Sequence, residues 1–167
     1  MSWSRRNFFR TASGAVLVAL VSGCGFAPVY GTDSIAETYR DNVSVSVPDT
    51  VLGFRLKGRL EERLGRADDT DPFALSVDID VTEEGVAVTP EGAVTRFTFT
   101  AFARFDLVDR STGAIVSSGQ VDSFTSYSTT DSTVATQTAR SDAERRLGRI
   151  LADQIVTRLF ATAAPDP

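Results

Sequence analysis

RFTFTAFARFDLV, residues 96–108, alternates without a break. Phe97, Phe99, Ala101, Ala103, Phe105 and Leu107 fall on one parity; Arg96, Thr98, Thr100, Phe102, Arg104, Asp106 and Val108 fall on the other. A period of two held this long predicts a strand with one face in a core and the other in polar surroundings. Such a strand needs neighbours, and the flanking sequence supplies them.

Upstream, Phe73, Leu75, Val77, Ile79 and Val81 alternate with Ser76, Asp78 and Asp80, a second strand with one buried face. It continues weakly to Val88, with Glu83-Glu84-Gly85 as the expected bulge, and Pro90-Glu91-Gly92 carries turn chemistry. Downstream, Ser111-Thr112-Gly113 turns the chain into a Ser/Thr-rich strand over residues 114–128. Its phase slips once, because Val116 and Val121 lie on opposite parities. Farther upstream Val43, Val45 and Val47 alternate with Ser44 and Ser46 and end at Pro48.

Two stretches follow the helical period instead. After Asp49-Thr50, which offers a cap, Leu52, Leu56, Leu60 and Leu64 recur every four residues, and Glu62 and Arg66 are spaced for an ion pair. From Thr133 onward Ala139, Ala143, Leu147, Ile150, Leu151, Ile155 and Leu159 form one stripe, opposite Arg140, Arg145, Arg149 and Asp153. The order β-α-β-β-β-α predicts an α+β fold: a mixed four-stranded sheet with two helices packed on one face. The other sheet face is polar and hydroxyl-rich, which suits plain solvent or a polar protein cavity; both readings stay open.

The first residues carry an address. Ala12–Val21 is apolar but shorter than the about 20 residues a spanning helix needs. Arg5, Arg6 and Arg10 precede it and Ser22-Gly23 close it, the order of an export signal. Val21-Ser22-Gly23-Cys24 resembles the lipobox of bacterial lipoproteins, with Val21 where Leu is commoner. The resemblance implies cleavage before Cys24, a thioether-linked diacylglycerol on its sulfur, and acylation of the new amino terminus. Several acyl chains anchor a protein stably without a span. Ser4-Arg5-Arg6-Asn7-Phe8-Phe9-Arg10 is similar to the twin-arginine motif, Arg10 replacing the usual Lys, and favours that route over general secretion. The chain thus divides into a signal peptide (1–23), a lipidated Cys with tether (24–42), one α+β domain (43–162) and a flexible tail (163–167).

Composition narrows the chemistry. Removing residues 1–23 takes three arginines and no acid, which moves the formal charge from −5 to −8. Net charge therefore gives no affinity for nucleic acid or anionic lipid, and no nucleic-acid partner is expected. The chain has no His, and its single Cys is committed to lipid. Histidine bases, Cys–His nucleophiles, N/S metal sites and disulfides fall away, so neither an enzyme nor a metal or other cofactor is expected.

Cys24-Gly25-Phe26-Ala27-Pro28-Val29-Tyr30-Gly31 is similar to the motif C-G-F-x-P-[LV]-Y-G that follows the lipidated Cys in the LPS-assembly lipoprotein family LptE, alphaproteobacterial type. The element order and the closing helix, Ser141–Leu147 and Leu151–Leu159, also resemble that family. The resemblance implies a non-enzymatic outer-membrane subunit of the lipopolysaccharide (LPS) translocon. It would plug and help assemble a β-barrel partner, LptD, bind LPS during its insertion into the outer leaflet, and sit on the inner leaflet through its anchor. Gly25 after the Cys, rather than the Asp that retains some lipoproteins in the inner membrane, agrees with that destination. The alternative is an accessory envelope lipoprotein of a lipid-transport ABC system.

LPS is anionic, so contact with it calls for arginine, whose planar fork suits oxyanions. Arg55, Lys57, Arg59 and Arg63 read as a solvated helix face paired with Glu61 and Glu62. Arg96 and Arg104, on the long strand, are the LPS-binding candidates. Arg96 lies beside the turn at Pro90–Gly92, expected at the end opposite the anchor.

Overall fold

The alternating stretch lies in β3 (Val94–Asp109), the long inner strand of a four-stranded sheet. The computed structural model describes residues 35–162; Arg5, Arg6, Val21, Ser22, Gly23, Cys24 and the tail 163–167 lie outside the described residues. β1 (Val43–Ser46) pairs in parallel with β2 (Phe73–Val88), which pairs antiparallel with β3, which pairs antiparallel with β4 (Ile115–Ser128). The sheet is mixed, as expected, and helices α2 (Val51–Leu64) and α3 (Thr133–Thr162) share one of its faces. One short helix, α1 (Ile35–Tyr39), precedes the expected order. Ala36 and Tyr39 join the core, and the Tyr39 ring meets Phe73 edge-on at 5.2 Å. The packing thus begins ahead of Val43, in a segment too short for a helical period to show.

The parities separate as the sequence requires. Phe99, Ala101, Ala103, Phe105 and Leu107 are buried against the leucines of both helices, while Thr100, Phe102, Arg104 and Asp106 face outward. On β4, Ser117 and Thr125 are buried on the helix side, whereas Ser118, Ser126 and Ser128 lie on the open face. α2 starts where Thr50 Oγ1 accepts the Gly53 N–H at 3.0 Å and ends at Gly65, whose φ of +87° favours glycine. On α3 the stripe widens to include Gly148, Ala152, Val156 and Phe160, while Ile150 is 38% exposed. A thirty-residue helix lying against a sheet buries a broader band than one row of residues.

Bulges fall close to the expected places. The β2–β3 register shifts around Ala87, just past Glu83-Glu84-Gly85. The β3–β4 register shifts between Leu107 and Val108, which leaves Val116 as the extra residue and accounts for the phase slip.

Candidate functional site

Arg96 stands near the tip of the β2–β3 hairpin, opposite Ala87 on β2 and Ser128 on β4. The turn is closed by Thr89 N–H to Ala93 C=O and Gly92 N–H to Thr89 C=O, both 2.9 Å, with Gly92 at φ +89°. The chain approaches from the other end of the sheet, where Tyr39 meets Phe73 and Asp41 N–H donates to Leu64 C=O at 2.7 Å. β1 pairs with only the first four residues of β2, so the hairpin runs on past it by roughly 40 Å of strand. Arg96 is exposed and makes no hydrogen bond or ion pair among the described residues. Val88 and Val94 pair across the ladder, 61% and 37% exposed, but past the register shift at Ala87 the Val94 side chain lies on the Gly85 and Phe97 side of the sheet, opposite Arg96.

Arg104 is placed differently. Its Nη2 lies 3.2 Å from Asp80 Oδ2; Asp78 stands directly across the ladder and Asp106 two residues along the same face. An anion approaching this point meets more carboxylate than guanidinium. The two candidate arginines share a strand face but not an electrostatic environment.

The helical cations have partners. Arg55 Nη2 donates to Ser141 Oγ at 2.8 Å, and Arg59 and Arg63 both donate to Asp153 of α3. Lys57 pairs with Glu61 at 3.7 Å. Arg66 reaches Glu61 at 3.6 Å, while Glu62 pairs with Arg59 at 2.9 Å, so the Glu62–Arg66 pair expected from spacing does not form. Sequence reasoning treated this face as solvated and missed that it clamps α2 to α3. Between the two helices Arg55, Arg59, Glu62, Arg145 and Arg149 line a groove of about 240 Å³. The i, i+4 spacing of Arg55/Arg59 and of Arg145/Arg149 was the available signal.

A second cluster was also missed. Arg140 of α3 donates from Nε at 3.2 Å and Nη2 at 2.9 Å to the two carboxylate oxygens of Glu83, and Tyr127 Oη donates to Glu83 Oε1 at 2.5 Å. The Arg140 guanidinium also lies 5.4 Å from the Phe99 ring centre. Arg140's hydrogen bonds, helped by Tyr127, hold the Glu83 carboxyl below its ordinary value; burial and the Glu83 bond push the Tyr127 phenol up. Glu83, read from sequence as a bulge marker, ties β2 to β4 and α3.

Among the described residues no group of three or more Cys, Asp or Glu side chains is arranged to hold a metal ion, and no helix is long and apolar enough to cross a membrane. A family model described as LptE, lipopolysaccharide-assembly, matches residues 40–159. Comparison with curated proteins gives no match. Among solved structures the fold is similar to that of a lipoprotein from Caulobacter crescentus, at 22% identity over 79% of this chain and 98% of that one, TM-score 0.64. Rare lipoprotein B from Shewanella oneidensis matches at 16% identity over 72% and 94%, TM-score 0.52. A lipoprotein B from Nitrosomonas europaea matches at 13% over 72% and 84%, TM-score 0.53. At these identities the likeness to the solved structures is one of fold.

Proposed function

This chain belongs to the LptE lipopolysaccharide-assembly family, and from that premise we propose that it serves as an outer-membrane lipoprotein subunit of the LPS translocon. Cys24 carries the lipid that holds it on the inner leaflet. The domain seats in the lumen of the LptD barrel, assists the barrel's assembly and contacts LPS on its way to the outer leaflet. The family match over residues 40–159, nearly the whole described domain, carries this reading.

The geometry supports it in two ways. The open sheet face bears Thr98, Thr100, Asp106, Ser118 and Ser126, which suits the polar lumen of a large barrel. The ten residues between Cys24 and Ile35 reach at most about 40 Å, and they join the domain at the end remote from the β2–β3 hairpin. Arg96 therefore stands away from the anchor, toward the LPS path, and is the LPS contact in this proposal.

Detergent extraction and affinity purification of the full-length lipoprotein, with mass spectrometry of what accompanies it, is the test. Stoichiometric recovery of a large outer-membrane barrel is the expected result; recovery of inner-membrane ABC components overturns the reading. On the same purified material, Arg96→Ala is expected to weaken LPS binding while Arg104→Ala, whose charge is already held by Asp80, leaves it unchanged. Equal binding by the wild type and Arg96→Ala removes Arg96 from the proposal.

A further inference from the structure

β2 has sixteen residues, and β1 pairs with only its first four. The hydrogen bonds at its start tell which main-chain groups the remainder leaves open. Phe73 N–H donates to Asn42 C=O at 3.1 Å, on the β1 side, while Pro72 C=O accepts from Arg110 N–H at 2.8 Å, on the β3 side. Alternation then turns the N–H and C=O of each later odd-numbered residue toward the β1 side. β1 cannot follow, because Pro48 stands where the ladder's next donor is needed and has no N–H. The C=O of Val77 and both main-chain groups of Ile79, Val81 and Glu83 thus face an edge on which no strand of the described residues pairs.

The sheet's other edge has one of its acceptors covered. On β4 the Ser126 C=O accepts from Arg146 Nη2 of α3 at 3.1 Å, which occupies an edge acceptor. Among the described residues no arginine plays that part along Val77–Glu84. The side chains flanking this open edge have a definite pattern. Asp78, Asp80 and Glu84 lie on the open face; Asp80 holds Arg104, while Asp78 and Glu84 make no ion pair among the described residues. On the helix side Val81 is 51% exposed and borders a groove of about 300 Å³ whose lining includes Leu52, Phe99 and Leu147.

We propose that the β2 edge from Val77 to Glu83 takes an extended segment of a second polypeptide that alternates basic and apolar side chains. Its main chain completes the ladder that β1 leaves unfinished. Its basic side chains, about 7 Å apart at every second position, meet Asp78, Asp80 and Glu84. Its apolar side chains turn the other way, over Val81 and into the groove. Charge complementarity selects this occupant. A second copy pairing edge to edge sets these carboxylates against one another, which is unfavourable. Residues 24–34 of this chain contain Asp33 and no Lys or Arg. The proposal concerns the β2 edge alone and does not depend on LPS binding at Arg96.

Amide hydrogen exchange of the full-length lipoprotein in detergent tests it, with a synthetic peptide alternating lysine and valine as the probe and one alternating glutamate and valine as the control. The Ile79, Val81 and Glu83 amides are expected to exchange freely alone and at least about tenfold more slowly with the basic peptide, and to be unaffected by the acidic one. Joint replacement Asp78→Lys and Glu84→Lys, both at exposed positions, is expected to reverse the preference. Equal protection by the two peptides, or none by either, overturns the proposal. So does slow exchange without peptide: dependence on protein concentration assigns the edge to a second copy, and independence assigns it to this chain's own residues.

Discussion

The guanidinium of Arg59 grips both carboxylate oxygens of Asp153, Nε to Oδ1 at 3.0 Å and Nη2 to Oδ2 at 3.1 Å, across the α2–α3 interface. Arg63, one turn further along α2, donates to the same Oδ1 at 2.9 Å. A forked pair sharing a carboxylate with a second arginine is stronger than an isolated surface pair, yet Asp153 is partly exposed and salt screens it. Asp153→Asn is expected to cost about 1 kcal/mol in urea unfolding of the soluble domain, and the difference should shrink in 1 M salt. An undiminished difference at high salt contradicts the electrostatic account.

The Glu83 cluster gives stability a pH dependence whose sign follows from its lowered pKa. A carboxyl whose folded value lies below its unfolded one contributes fully above the unfolded value, about 4.3, and loses that contribution as the pH falls through the folded value. Glu83→Gln is therefore expected to cost about 1–2 kcal/mol at pH 7. The gap between the two proteins should close steadily below about pH 4. Unfolding curves at stepped pH values measure it; a gap that stays constant down to pH 3 assigns the loss to packing instead.

Strand and helix positions were legible because burial imposes periods on the sequence. The parity of β3 was readable from residues 96–108, and the leucine spacing of α2 from 52–64. Features resting on contacts between distant segments were not. Nothing local marks Asp153 as the partner of Arg59, 94 positions away, or Glu83 as the partner of Arg140. α1 was missed because five residues hold little more than one turn. Of the two candidate arginines, parity placed both on the open face with Asp106, but only the register shows Asp78 and Asp80 beside Arg104.

Register also explains a glycine inside a strand. Gly119 pairs with Phe105, whose Cζ would lie 3.0 Å from a Cβ at position 119. Phe105 is 2% exposed and packed on all sides, so its ring has nowhere to move. Gly119→Val gains strand propensity but forces that ring out of place, and should destabilise the domain by about 1–3 kcal/mol. Calorimetry of the variant checks this. Phe105→Leu in the same background relieves the crowding and should recover part of the loss; no recovery argues that the strain lies elsewhere.

Gly148 sets how closely α3 can approach α2. A Cβ there would lie 3.2 Å from Arg55 Cβ and 3.3 Å from Leu56 N, contacts that only a shift of a few tenths of an ångström relieves. Two effects oppose each other for Gly148→Ala: about 1 kcal/mol gained from helix propensity and a similar strain at the crossing. That variant should be close to neutral. Gly148→Leu gains the same propensity but needs room for a whole side chain between packed helices, and should cost about 2–3 kcal/mol. It also separates Arg59 from Asp153, so the salt-dependent contribution of that pair should vanish with it. Measuring both variants by urea unfolding at low and high salt distinguishes close approach from propensity: if Leu proves as mild as Ala, the helix crossing does not depend on glycine.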